Sequence, residues 1–242
     1  MNNLIKKVGR VKTVSEAVTL EKLVANLIGF SLSDNFKFKD ERVVTEETVL
    51  SIQKVLKRVK TFGEIFIDNS DTYDVVKLAK RLNFDYIQPV GQTIPSLPLR
   101  ETLFKENIGI IYSNIEVSHD EYPTWILSRY QDEKNLNVSF FQIDLLPEYQ
   151  NSWYFLNNES SEYPEEIQID DISELGIENP LLLTLNFNTD NIFKILDKIT
   201  SIKGIGMEMG NNPTRDDFHY LKYFEVIEIL RELQKRNTIL NV

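Results

Sequence analysis

Short apolar runs alternate along the chain with longer segments in which apolar residues return every third or fourth position. The clearest example lies between Asn179 and Gly210. Pro180-Leu181-Leu182-Leu183-Thr184-Leu185 is almost continuously apolar, the pattern of a strand buried on both faces. Asn186 to Asn191 supplies turn residues and helix N-caps, after which Ile192, Ile195, Leu196 and Ile199 follow at helical spacing. Gly204-Ile205-Gly206-Met207-Glu208-Met209 is a second strand-like run. Strand, helix, strand is a βαβ crossover, which predicts a parallel sheet.

The same alternation predicts strands over 4–9, 27–32, 64–68, 86–89, 108–113 and 138–144. It places helices after the capping residues Thr13 and Thr45, over 75–82, 97–105 and 121–133, and from about 216 to 235. The polar stretch 33–42 is longer than a usual βα connection, and 145–178 is acidic, aromatic and without a clear period. With the 180–209 unit the count is eight strands alternating with helices. That is the arithmetic of an α/β protein with one (β/α)8 TIM barrel over 1–242, the last helix closing the ring. An open doubly wound sheet has the same alternation, because strand order is not written in the sequence.

Composition narrows the function classes. The chain has 242 residues, 42% of them hydrophobic, enough for a sizeable core. Its net charge of −10 and lack of a basic patch argue against a nucleic-acid partner. Having no cysteine, it forms no disulfide, thiolate metal site or thiol nucleophile. No window approaches the roughly 18 apolar residues of a membrane span, and the N-terminal stretch lacks a signal-peptide pattern, so a cytoplasmic protein is expected.

Chemistry in a barrel is expected where strands end. The residues there include Val8, Gly9, Arg42, Asp68, Gln88, Tyr112, Ser113, Asp144, Asn186 and Glu208. Asp144 reads either as an acid catalyst or as a turn acid, and Glu208 as a second catalytic acid across the mouth or a solvated loop residue. Arg42 suits an anionic group, or pairs with Glu46 or Glu47. Gln88, Tyr112 and Asn186 complete the expected small-molecule site. Asp68-Asn69-Ser70-Asp71 has the look of a cation loop but reads as helix-capping chemistry that needs no metal, and Asp216-Asp217 reads as a cap of the final helix. Trp153, Tyr154 and Phe155 suit core packing or a lid. Neither His119 nor His219 falls on a predicted strand end, so no metal and no cofactor are expected.

The chain resembles the phosphoribosylanthranilate isomerase family of tryptophan biosynthesis. Leu27 to Leu32 is similar to that family's second strand, Asp40 to Thr45 to its Ser-Pro-Arg-Tyr-Val-Ser segment, and Glu64 to Asp68 to its Gly-Val-Phe-Val-Asn. Tyr86 to Gly91 is similar to Val-Val-Gln-Leu-His-Gly, Pro180 to Asn191 to Leu-Ala-Gly-Gly-Leu-x-x-x-Asn, and Pro213 to Phe224 to the last loop and helix. The resemblance implies a barrel in which Asp144 is the acid on the sixth strand and Arg42 holds a carboxylate. It also puts Val8 in place of the cysteine base, and valine accepts no proton. The family's phosphate glycines after strands seven and eight are replaced by Asn186-Phe187 and by Met207-Glu208-Met209, and its Gly-rich loop after strand six by Glu148 to Trp153. The expectation is a diverged member that has lost the Amadori isomerisation and acts on or binds another small molecule. An active isomerase with a rearranged site, or a non-catalytic barrel serving a protein partner, are the alternatives.

Overall fold

In the computed structural model, which describes residues 4–32, 41–67, 72–210 and 219–239, eight parallel strands close into a barrel. They are β1 (Ile5–Gly9), β2 (Leu27–Ser31), β3 (Lys60–Ile65), β4 (Tyr86–Pro89), β5 (Gly109–Val117), β6 (Val138–Leu145), β7 (Leu181–Thr184) and β8 (Gly204–Met209). Each pairs with the next in chain order, and β8 returns to β1 with Lys7 opposite Gly206. Closure leaves no barrel strand with a bare edge. A two-residue strand, β9 (Tyr220–Leu221), adds to β8 at the mouth.

The helices wrapped outside are α1 (Val14–Lys22), α2 (Glu46–Gln53), α3 (Thr72–Arg81), α4 (Leu97–Lys105), α5 (Ser128–Gln131), α6 (Ser152–Tyr154), α7 (Ile169–Glu178), α8 (Ile192–Lys198) and α9 (Tyr223–Ile239). Thr13 and Thr45 start α1 and α2 as expected, their hydroxyls accepting from the amides of Glu16 and Thr48. None of the described helices is long and apolar enough to cross a membrane.

The main core lies between strands and helices, and a second cluster fills the lower barrel. There Leu27, Phe62 and Ile111 are buried together, with Ile5, Tyr86 and Phe140 packed against them. Side chains alternate along a strand, so residues two positions further up these strands face the upper lumen.

Four expectations are corrected. β3 starts at Lys60 rather than 64, because parallel register with β2 sets Lys60 opposite Leu27 and turns Phe62 and Glu64 inward, while Phe66 is left exposed. β5 extends to Val117 by a register shift between Tyr112 and Ile115 that keeps it paired with β6. The helix expected over 121–133 is a 3₁₀ turn at Pro123–Trp125 followed by the short α5, since Pro123 donates no hydrogen bond and fits only a first turn. α9 starts at Tyr223, because the two residues at Tyr220–Leu221 are used to pair with β8. Within 145–178 lie α6, a single π turn at Phe155–Glu159 and α7. Trp153 and Phe155 are buried there and Tyr154 is exposed. The loop residues 33–40, the turn 68–71, Asn211, Asn212, Pro213 and the expected cap Asp216-Asp217 lie outside the described residues.

Candidate functional site

Three carboxylic acids meet at the carboxyl ends of the strands. Glu64 on β3, Asp144 on β6 and Glu208 on β8 line one cavity, together with Gln88, Gln142, Ser113, Thr184 and Arg10. It is a narrow space whose empty volume, counted out to open solvent, is about 460 Å³.

Beneath its floor, Lys7 is fully buried and donates to Glu208 Oε1 in a salt bridge, with its ammonium 4.4 Å from the centre of the Phe62 ring. The amide nitrogen of Gln142 donates to the same Oε1 at 3.1 Å. Glycine on the neighbouring strands makes the space. A Cβ on Gly9 would stand 1.7 Å from Glu208 Oε2, and one on Gly206 would stand 2.8 Å from the carboxamide carbon of Gln142. Strand alternation therefore sends Lys7 and Gly9 inward and Val8 outward, into the main core. The side chain that β1 places beside Glu208 is a lysine, whereas Val8, expected at the site, faces the helices.

Burial pushes the Asp144 carboxyl above the ordinary aspartate range. The hydrogen bonds and charge of His219 pull back, and the charge of Glu208 adds to the rise. Glu64 is also pushed up, by burial first and then by Glu208, against the lowering pull of Arg10 and Lys7.

His219 was not expected at the site. It stands just before β9, and its Nδ1 lies 2.5 Å from Asp144 Oδ1. Its Nε2 lies 3.0 Å from the hydroxyl of Ser152, which donates to Asn186 Oδ1 at 2.9 Å. Asn186 is itself fixed, accepting from the amide of Trp153 and donating to Asn151. Ser152, His219 and Asp144 follow the hydrogen-bond order of a hydrolase triad, yet Ser152 is 0% exposed and Asp144 is the member that lines the cavity. Burial reverses the usual reading, making Ser152 the anchor and Asp144 the group that can touch a ligand.

The other expected residues divide. Gln88 and Glu208 line the cavity with Asp144, and Glu208 is a lumen residue rather than a solvated one. Asn186 reaches the cavity only through Ser152 and His219. Arg42 is buried elsewhere, bonded to Glu16 at 2.7 Å and to the carbonyl of Arg10 at 2.6 Å, while Glu46 pairs with Arg81. Tyr112 faces the helices, its hydroxyl donating to the Leu136 carbonyl and its ring packing on Tyr130 and Phe141. Alternation gives its place in the lumen to Ser113. Lys7 carried a signal in the sequence: of two adjacent lysines in a strand buried on both faces, one must point inward. No spacing in the sequence pointed to His219.

The loop after β7 has used its own amides. The N–H of Asn188 goes to Asn191 Oδ1, those of Asp190 and Asn191 go to Asn188 Oδ1, and that of Phe187 goes to the Leu185 carbonyl. At the start of α9, Glu225 accepts from the amide of Lys222 at 2.6 Å and brings a negative charge to that helix end. Neither place is a phosphate cradle. Among the described residues, no group of three or more His, Cys, Asp or Glu side chains is arranged to hold a metal ion.

The fold is a (β/α)8 barrel with a polar cavity on the face where such barrels carry their chemistry. Among solved structures it is similar to N-(5'-phosphoribosyl)anthranilate isomerase from Pyrococcus furiosus, at 15% identity over 96% of this chain and 99% of that one, with a TM-score of 0.65. The enzyme of the same name from Thermotoga maritima gives 14%, 96%, 99% and 0.66, and that from Thermus thermophilus 13%, 96%, 100% and 0.63. No protein-family model matches the chain, and no curated protein matches it in sequence.

Proposed function

We propose that the chain is a proton-transfer enzyme of the isomerase type that acts on a small polar molecule, and that it does not perform the reaction named for the solved barrels it resembles. One observation carries the reading. Asp144 and Glu208 line the same narrow cavity with opposite partners, Asp144 raised by burial and Glu208 paired with a buried lysine. Carboxyl groups set apart in this way are suited to giving and receiving a proton. In this reading Asp144 donates, Glu208 accepts, and His219 positions Asp144.

Three features support a change of substrate from the phosphoribosyl compound in those barrels' name. The inward β1 side chain is an ion-paired lysine. The amides after β7 are occupied by their own loop. A phosphate entering the cavity would meet the Glu208 carboxylate, and two like charges about 4 Å apart cost roughly 4 kcal/mol at an effective dielectric near 20. A strain that lacks phosphoribosylanthranilate isomerase and expresses this chain is expected not to grow without tryptophan. Growth would overturn the proposed loss of that reaction.

A further inference from the structure

Three acceptor atoms around the cavity have no partner among the described residues: Gln88 Oε1, Gln142 Oε1 and Thr184 Oγ1. Their residues are 3%, 6% and 3% exposed, so each atom is shielded from bulk water, and all three residues line the same cavity. The Gln142 amide is not open to reversal, because its nitrogen already donates to Glu208. A buried acceptor left unmade is costly, so these atoms call for donors brought from outside the chain.

The charges of the described residues disfavour an anionic ligand. Lys7 is committed to Glu208, and Arg10 donates to the Tyr220 hydroxyl at 3.0 Å with its guanidinium over that ring. Among the described residues an anion would find the lining cations engaged and three carboxyl groups around it. A compound rich in O–H or N–H groups would find acceptors on every wall.

We infer that the cavity takes a small polyhydroxy compound, with an amino group accepted and without phosphate or carboxylate. The inference rests on the reading of the cavity as a small-molecule site and narrows it to a ligand class. Thr184→Val is the sharpest probe, because it removes one unpartnered hydroxyl at constant shape. Removing a buried polar atom that makes no bond costs folding nothing and can stabilise it.

The test is thermal unfolding of the full chain with ribose, glucosamine, ribose-5-phosphate and inorganic phosphate, repeated on Thr184→Val. Ribose or glucosamine is expected to raise the wild-type Tm while the two phosphates do not. Thr184→Val is expected to keep or raise the unliganded Tm and to weaken that binding about tenfold, the worth of one hydrogen bond. Stabilisation by a phosphate compound alone would overturn the ligand class and leave the small-molecule site standing. An undiminished response in Thr184→Val would place binding elsewhere and overturn the inference. A response to none of the four compounds would overturn the inference and count against the site itself.

Discussion

Replacing Lys7 with methionine is expected to lower the unfolding free energy by about 3–5 kcal/mol in a urea titration, because it takes from the Glu208 carboxyl its buried partner. Glu208 is 17% exposed at the side chain and Lys7 0%, so water reaches one member of the pair only slightly. Methionine fills most of the lysine's volume and lies as well on Phe62, which confines the loss to the charge. Lys7→Met combined with Glu208→Gln is expected to recover most of the stability, since a neutral carboxamide no longer needs the ammonium. A single-variant loss below about 1 kcal/mol, the range of a surface pair, would contradict the lumen assignment of both residues.

Asp144→Asn is expected to lower kcat by about 10²–10⁴-fold on the compound that the binding series selects, the usual worth of a general acid. Asparagine has the same shape and retains a polar contact with His219, so the Tm should move by no more than a few degrees. His219→Gln should reduce kcat less than Asp144→Asn and move the alkaline limb of the pH profile to higher pH, because it removes a group that lowers the Asp144 pKa and not the acid itself. Equal kcat in wild type and Asp144→Asn would remove Asp144 from the chemistry.

The barrel was legible because two-sided burial leaves a mark in the sequence. Tyr86–Pro89, Leu97–Lys105 and Gly204–Met209 fall where the apolar pattern puts them, each close to a proline or glycine that limits the element. β3 was displaced because 64–68 is more apolar than the true strand, whose inward residues Phe62 and Glu64 answer to the lumen. The site was legible only in part. Asp144 and Glu208 could be picked as acids near strand ends, whereas Tyr112 and Val8 required knowing which face each strand turns inward. Arg42 faces a partner on α1 that no local spacing names. His219 lies 75 residues from Asp144 in sequence, and their meeting depends on the chain returning to pair with β8.

The most direct test of the account is the titration of the Asp144 carboxyl carbon, followed by ¹³C NMR on the full chain. A group whose folded pKa is raised holds its proton in the folded state after the unfolded chain has lost it. Its contribution to stability is therefore complete below the ordinary aspartate range and is lost as pH rises through the folded value. Asp144 is expected to titrate above the ordinary value of about 3.9, and the free energy of unfolding to fall across the same interval. Titration of Asp144 at or below that value would contradict the assignment of this barrel's mouth as a proton donor's site.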